Sequence, residues 1–295
     1  MAEQKKSFIV KVIDKALTIF LWLCGIFAIL MCIQIFCLTS FKIPSDSMKP
    51  ELMPGDYILV NKLPMGARLF NIFSAINGEE TPIYRLPGIS KIKRNDVLAF
   101  NFPYPNRWDS IGFDVMKYYM KRCIGLPGDS VKIINGTYTV EGYSYPLGNI
   151  EAQNDLSKLK EKELPPGTWN TFPWDYKLGW NIKDFGPLYI PQKGKIIPIT
   201  PMNIRFYGNL MKWEQKQQLT IEGNKVYLDN KQIHTYQFTH NYYFMGGDNA
   251  INSQDSRYWG MLPEEFIVGK AWIIWKSVNI NDKKVNWRRI LKKIN

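Results

Sequence analysis

The sequence has little of what most hydrolytic and metal sites are built from. Of its 295 residues only two are histidines, His234 and His240, and no serine motif lies near either of them. A catalytic triad based on histidine is therefore hard to build from this chain. The four cysteines form no Cys-x-x-Cys pair, which together with the shortage of histidine argues against a zinc site. We expect no metal and no other cofactor.

Charge is absent from residues 16–38. At about 1.5 Å per residue, a helix over this range crosses the roughly 30 Å hydrocarbon core of a bilayer with some tilt. A cleaved signal peptide has a shorter apolar core, of about 7–15 residues, and a small-x-small site that does not follow here. Three cysteines lie in this run, where they act as small hydrophobes, so no disulfide framework is expected. The sequence predicts one transmembrane helix over residues 16–38.

Lysines are more frequent before this helix than directly after it. An excess of basic residues marks the cytoplasmic side of a transmembrane helix. Residues 1–15 are thus predicted to be a basic cytoplasmic arm, with the rest of the chain on the outer, periplasmic or extracytoplasmic, side of the cytoplasmic (inner) membrane. No second span is expected, because the later apolar run is short, carries two lysines and is typical of a buried strand. The lysines are Lys5, Lys6, Lys11 and Lys15 before the helix, Lys42 and Lys49 after it, and Lys270 and Lys276 within the later run, residues 266–278.

The formal net charge of +12 is compatible with two kinds of partner. A nucleic-acid binder needs its basic residues clustered on one face, with aromatic residues between them. Here the lysines are spread out, apart from the N-terminal arm and the last dozen residues. That distribution fits a protein lying on an anionic bilayer better. We expect contact with membrane lipids and no nucleic acid.

Beyond Ser40 the pattern is typical of β-strands. Short apolar runs at residues 57–60 and 97–100 are bounded by Gly, Pro, Asn or Asp, as strands are. Two hairpins are predicted, one over residues 131–140 turning at Asn135-Gly136 and one over residues 225–233 turning at Asp229-Asn230. Several short strands with regular turn signals predict a β-barrel or sandwich.

We therefore expect a mostly β protein, with an N-terminal transmembrane helix followed by a main β domain. Residues 39–140 and 241–280 are assigned to that domain. Residues 141–240 are assigned to an inserted β-rich subdomain, since residues 141–220 are rich in Trp, Tyr and Pro. Residues 281–295 form a basic amphipathic tail, which can lie on the bilayer or simply be a solvated end.

Three segments carry residues suited to catalysis. Ser45 and Ser47 follow the membrane helix and alternate, so in an extended chain both side chains point to the same face. Lys121 has apolar or aromatic neighbours on its N-terminal side, and burial lowers the pKa of a lysine enough for it to take a proton from a serine hydroxyl. Residues 245–260 form a structured loop dense in Gly, Asp, Asn and Ser. Taken alone, each segment can also be explained without catalysis. The first can be a linker, Lys121 can be an exposed lysine on a strand, and residues 245–260 can be an ordinary long turn.

Taken together, these segments resemble the type I signal peptidases. That family carries a Ser-x-Ser-Met-x-Pro motif after its last membrane anchor, then a strand motif with Asp-x-x-x-Phe, a Lys-Arg motif ending in Gly-x-Pro-Gly-Asp, and a loop motif Gly-Asp-Asn…Asn-Ser-x-Asp-Ser-Arg-x-Trp-Gly. All four occur here in that order, at residues 45–50, 96–100, 121–129 and 247–260. One such motif is weak evidence, but four in order are highly specific.

The resemblance implies a membrane-bound serine endopeptidase that removes N-terminal signal peptides from exported preproteins. It implies Ser47 as the nucleophile and Lys121 as the general base of a Ser-Lys dyad, with Ser45 and the Ser47 backbone N–H as the oxyanion hole and Ser253 orienting Lys121. It implies structural ion pairs between Asp248 and Arg122 and between Asp255 and Arg257. The residues implied to line the pockets for small side chains at positions −1 and −3 of the substrate are Ile43, Pro44, Met48, Leu52, Tyr119 and Met120. The implied partners are preproteins, and the protein-export channel is expected nearby.

The chain departs from the family pattern at two places. Ala250 and Ile251 stand where the family often has Arg-Asp, so a loop ion pair is lost but no implied catalytic group is. Asn95 stands before Asp96 where the family often has Gly.

The sequence argues against two other functions. A soluble relative of the Ser-Lys class, the self-cleaving repressors, would carry a DNA-binding domain in place of the membrane span. A membrane-tethered binding module that kept the fold but lost catalysis would not need both Ser47 and Lys121.

Overall fold

The computed structural model describes residues 2–295. Its first helix, α1 (Ala2–Phe36), contains one stretch, Lys11–Phe36, that is long and apolar enough to cross a membrane, and none of this stretch is buried against the rest of the protein. The helix ends two residues earlier than the predicted boundary at residue 38. The reason is that Leu38 already pairs with Asn61 as the first residue of a strand.

Within residues 2–295 the rest of the chain forms many short strands and four further helices. The helices are α2 (Ile72–Ile76), α3 (Ile150–Lys158), α4 (Ile204–Gln215) and α5 (Ser256–Trp259). The strands are β1 (Leu38–Lys42), β2 (Asp56–Asn61), β3 (Arg68–Leu69), β4 (Tyr84–Arg85), β5 (Val97–Asn101), β6 (Tyr118–Gly125), β7 (Ser130–Ile134), β8 (Thr137–Val140), β9 (Phe185–Tyr189), β10 (Ile196–Pro198), β11 (Leu219–Glu222), β12 (Lys225–Leu228), β13 (Lys231–Ile233), β14 (Thr235–Gln237), β15 (Tyr242–Gly246), β16 (Leu262–Pro263) and β17 (Ile267–Ser277).

The main sheet has seven antiparallel strands in the order β1-β2-β17-β5-β6-β15-β16. Strand β17, with 11 residues, lies between β2 and β5, and its register shifts twice along β2 and once along β5. Such irregularities bend a strand and increase the local twist, which curves the sheet. This confirms the mostly β class, and it confirms that the run at residues 266–278 is a strand.

Both predicted hairpins are present. Strands β7 and β8 pair across Asn135 and Gly136, which have φ angles of 46° and 82°, as a two-residue turn with both central residues left-handed requires. Strands β12 and β13 pair in the same way across Asp229 and Asn230, with φ angles of 44° and 65°.

The inserted segment contains more helix than the sequence indicated. Helix α4, with 12 residues, was not predicted, although it buries an apolar side that includes Leu210 and Met211. The polar residues 154–163, whose pattern allows either helix or loop, include the end of α3. The Asn149 side chain caps the start of this helix by accepting a hydrogen bond from the Ala152 N–H. Strand β9 pairs with β7, so hydrogen bonds cross the expected division at residue 140.

Strand β5 shows why the centre of the sheet is buried on both faces. Side chains alternate along a strand. Val97 and Ala99 belong to one apolar cluster, whereas Leu98 and Phe100 belong to another on the opposite face. All four are at most 1% exposed. In the neighbouring strand, β6, the residues from Met120 to Gly125 are buried as well, and they include the candidate lysine, Lys121.

The C-terminal tail packs on the sheet rather than forming a free amphipathic helix. It contains one 3-10 turn at Trp287–Arg289, and Ile294 is buried beside the apolar cluster under β2. Arg289 donates from Nε and Nη2 to the carboxylate of Asp56, which is fully buried and also accepts from the Ser277 hydroxyl. This ion pair ties the tail to the start of β2.

Asp56→Ala should lower the free energy of unfolding by about 3–5 kcal/mol, because it leaves the mostly buried guanidinium of Arg289 unpaired. Urea unfolding in detergent, followed by tryptophan fluorescence, measures this. As a control, Glu141→Ala removes an exposed carboxylate and should stay within about 0.5 kcal/mol. Two variants of equal stability would show that the tail is not held by this pair.

Candidate active site

The structure brings Ser47 and Lys121 together although 74 residues separate them in the chain. Ser47 lies in a turn that follows β1, and Lys121 lies in β6, where it opposes Leu98 of β5. Lys121 Nζ is hydrogen-bonded to Ser47 Oγ. The lysine is 3% exposed, while the serine stays partly accessible. A buried amine thus meets a hydroxyl that a substrate can reach.

Burial lowers the pKa of Lys121 from its ordinary value of 10.5 to about 8. Removing the ammonium from water penalises the charged form, and the nearby Arg257 guanidinium acts in the same direction. The carboxylates of Asp255 and Asp248 oppose this shift without cancelling it. A neutral amine is therefore available close to neutral pH, and a neutral amine can accept a proton.

Ser45 lies on the same side of the chain as Ser47, although residues 45–50 form a bend and a turn and not the extended chain that the alternation assumes. The two hydroxyl oxygens are 3.3 Å apart, and Ser45 is exposed. Its hydroxyl can therefore turn toward a bound substrate.

A loop spanning residues 247–255 holds the turn that carries Ser47. The backbone N–H of Asn249 donates to the Ser47 carbonyl oxygen at 3.1 Å, and Asn249 Nδ2 donates to the Asp46 carbonyl oxygen at 3.3 Å. Sequence reasoning missed this contribution of Asn249. The only available signal was its place in the Gly-Asp-Asn motif.

The predicted pair Asp255 and Arg257 is present and fully buried. Arg257 donates from Nε and Nη2 to the two carboxylate oxygens at 2.8 and 2.7 Å. It also donates from Nη1 to the Ala250 carbonyl oxygen, and Asp255 Oδ2 accepts from the Gly247 N–H at 2.9 Å. The ion pair is thus bonded to the loop backbone at two positions, Gly247 and Ala250.

The predicted pair Asp248 and Arg122 is present as well. Arg122 donates from Nε and Nη2 to the carboxylate at 2.7 and 2.6 Å, and Asp248 is 2% exposed. Arg122 also donates to the Asn95 carbonyl oxygen. Since Arg122 follows Lys121 directly, this pair joins the lysine strand to the loop.

Ser253 lies beside Ser47 but does not make the predicted hydrogen bond to Lys121. Its buried hydroxyl has no hydrogen-bond partner among the residues described. It packs instead against Gly247, where an added Cβ would be 1.9 Å from Ser253 Oγ and 2.7 Å from the Ser47 carbonyl oxygen. The orienting role of Ser253 stays a prediction.

Ser47 and Lys121 open into a cleft of about 330 Å³. Five of the six residues expected to bind substrate line it, namely Ile43, Pro44, Met48, Tyr119 and Met120. The sixth, Leu52, does not, because it is fully buried in the apolar cluster behind Met48. It supports the wall of the cleft from inside.

The cleft also has walls that sequence reasoning missed. Phe41 and Tyr118 line it, with ring centroids 4.7 Å apart. Gln254 lines it from the loop and accepts a hydrogen bond from the Tyr119 hydroxyl at 3.0 Å. In the described part of the chain, no group of three or more His, Cys, Asp or Glu side chains could hold a metal ion.

Comparison with known proteins agrees with this geometry. The family described as "Signal peptidase, peptidase S26" matches residues 16–276. The chain belongs to the signal peptidase family. It is 30% identical to Signal peptidase I of Buchnera aphidicola subsp. Baizongia pistaciae over 278 residues, covering 89% of this chain and 76% of that protein. It is 31% identical to Signal peptidase I of Pseudomonas aeruginosa over 259 residues, covering 84% of this chain and 68% of that protein.

Among solved structures, a crystal structure of a signal peptidase I from Enterococcus faecalis matches 62% of this chain and 98% of its own chain. The two are 20% identical and the TM-score is 0.29. The fold described above therefore rests on the strands of this chain and not on this similarity. Family membership makes the chain a peptidase.

Gly247→Ala should reduce peptidase activity by at least about 100-fold, because the added Cβ would push the Ser47 backbone out of position. Initial rates on a fluorogenic peptide in detergent measure this. Gly112→Ala is the matched control, since its added Cβ would meet nothing closer than 3.6 Å, and it should keep its rate. Near wild-type activity in Gly247→Ala would mean that the loop does not set the position of the nucleophile.

Proposed function

We propose that the protein is a membrane-bound serine endopeptidase that removes signal peptides from exported preproteins through a Ser-Lys dyad. Ser47 is the nucleophile and Lys121 the general base. The observation that carries the proposal is the hydrogen bond between Ser47 Oγ and a lysine that is 3% exposed, at the edge of an open cleft. A lysine in that position is neutral often enough to activate a serine.

The chemistry follows from these two groups. Lys121 takes the proton of Ser47 as Oγ attacks the carbonyl carbon of the scissile peptide bond. The protonated lysine then gives that proton to the leaving amine, which departs as the new N-terminus and leaves the signal peptide as an ester on Ser47. Lys121 next takes a proton from a water molecule that attacks the ester, and returns it to Ser47 Oγ as the signal peptide is released.

The negatively charged oxygen of each tetrahedral intermediate has to be stabilised by hydrogen-bond donors. The hydroxyl of Ser45, 3.3 Å from Ser47 Oγ, and the backbone N–H of Ser47 are the proposed pair. Such donors lower the barrier because their bonds strengthen as charge develops on the substrate oxygen.

The proposed substrates are preproteins with small residues at positions −1 and −3. Ile43, Met48 and Met120 are buried side chains that line the cleft. An apolar wall of this kind accepts alanine-sized side chains and also keeps water from the amine of Lys121.

Helix α1 is proposed as the anchor in the cytoplasmic membrane, with the catalytic domain on the outer side and contacts to membrane lipids. Its stretch Lys11–Phe36 is apolar and unburied, and basic residues precede it. This arrangement would place the cleft where preproteins emerge from the export channel.

Ser47→Ala and Lys121→Ala should each lower kcat on a test preprotein by several orders of magnitude, because the two groups act as a unit. Lys121→Arg should fail as well, since a guanidinium stays protonated and cannot serve as a base. Gel analysis of preprotein cleavage by purified full-length variants measures this. Lys276→Ala is a matched control outside the site and should keep its activity. Substantial turnover by Lys121→Ala would refute the proposed base.

The pH dependence of kcat/KM should report the lowered pKa of Lys121. The amine must be neutral to act, so kcat/KM should fall about tenfold per pH unit well below pH 8 and level off above about pH 9. Cleavage rates at low substrate concentration between about pH 6 and 10 measure this. A rate that continues to climb near the ordinary lysine pKa of 10.5 would show that Lys121 is not desolvated in solution.

A further inference from the structure

A second cavity lies beside the catalytic cleft. It measures about 610 Å³ and is lined on its apolar side by Trp108, Trp174, Ile251 and Tyr258. The two tryptophans are 49% and 53% exposed. We call this cavity the tryptophan groove. Large aromatic side chains left open to water next to an active site mark a binding surface.

The groove continues the cleft. Asn252 and Gln254 line both cavities. Between them Ser253, which lies beside the nucleophile, also lines the groove, and its buried hydroxyl has no hydrogen-bond partner among the residues described. A peptide that leaves the cleft past these three residues enters the groove.

The groove is preformed. Trp174 Nε1 donates to the Tyr258 carbonyl oxygen at 3.1 Å, and the Tyr258 hydroxyl donates to the Thr168 carbonyl oxygen at 2.8 Å. These bonds fix the aromatic walls before any ligand arrives, which reduces the entropy lost on binding. Trp174 and Thr168 belong to the inserted segment, so the insert supplies one side of the groove.

The direction of the bound chain follows from residues that line the cleft but not the groove. Phe41 and Tyr118 are two of them, and Phe41 lies in β1, which follows helix α1 after a single residue. The apolar part of a signal peptide precedes the cut and lies in the bilayer, so it approaches from the side of α1. The residues after the cut then leave past Asn252 and Gln254.

We propose that the tryptophan groove binds an apolar or aromatic side chain from the first few residues of the mature chain, directly after the cut. This inference rests on the proposed function. None of the residues that line the groove is charged, and a charged side chain would lose hydration there without a partner. At position 251 this chain has isoleucine where the resembled family often has aspartate, which makes the wall apolar. The enzyme would therefore select its substrates at two places: small residues before the cut, and an apolar or aromatic residue in the mature chain after the cut.

The test uses the full-length protein in detergent and preproteins that differ at one mature position. Phe, Ser or Asp is placed in turn at each of about five positions after the cut, and kcat/KM is measured. At one or two of these positions Phe should be preferred over Asp by about tenfold, as expected for a hydrophobic pocket. Trp174→Ala and Trp108→Ala should each bring that ratio close to one, whereas Trp174→Phe should retain most of it.

Tyr176→Ala is the matched control, because Tyr176 is an aromatic residue of the same segment, is 88% exposed and does not line the groove. It should keep the wild-type ratio. Thermal unfolding of each variant shows whether a lost preference is due to a lost fold. The ratio of kcat/KM for two substrates of the same enzyme does not depend on the fraction of that enzyme that is active. Cleavage at the correct bond with no preference at any position, or an unchanged ratio in both tryptophan variants, would overturn the groove assignment alone. No cleavage of any preprotein by the wild type would overturn the proposed function and the groove with it.

Discussion

The buried ion pair between Asp255 and Arg257 is the constraint on which the geometry of the site depends. It is bonded to the backbone at Gly247 and at Ala250, so the loop between these positions has one arrangement. A buried pair of this kind adds little net stability compared with an apolar replacement, but breaking it leaves an uncompensated charge. Its contribution here is to fix a conformation. Because the same loop bonds to the Ser47 carbonyl oxygen, the position of Ser47, the proposed nucleophile, depends on an ion pair to which it is not bonded.

An apolar cluster supports this loop from the other side. Leu156, Leu164 and Ile182 come from the inserted segment and pack with Ala250 and Tyr258. The small side chain of Ala250 is 1% exposed and fits into this cluster. The insert therefore does more than extend the fold, since it packs against the loop that is bonded to Ser47.

The sequence was most informative where local chemistry decides the structure. The turns at Asn135-Gly136 and Asp229-Asn230 determine their hairpins through residues that accept left-handed backbone angles. Helix α4 escaped prediction because its stability comes from tertiary packing of an apolar side rather than from a local signal. The residues of the candidate site could be named from motif order, and the structure brings Ser47 and Lys121 together. The missing hydrogen bond of Ser253, the burial of Leu52 and the tryptophan groove depend on contacts between distant segments, which no local pattern encodes.

The connection between helix α1 and the sheet is very short. Only Cys37 lies between the helix and β1, and Lys62 Nζ donates to the carbonyl oxygens of Gln34 and Ile35 at the helix end. The five residues of β1 then run about 17 Å in extended form, at roughly 3.3 Å per residue. In the proposed membrane-bound enzyme, the distance from the bilayer to Ser47 is thus a fixed length built into the chain. This fixed distance would select among cleavage sites, because only a site that lies a matching number of residues beyond the lipid can reach Ser47.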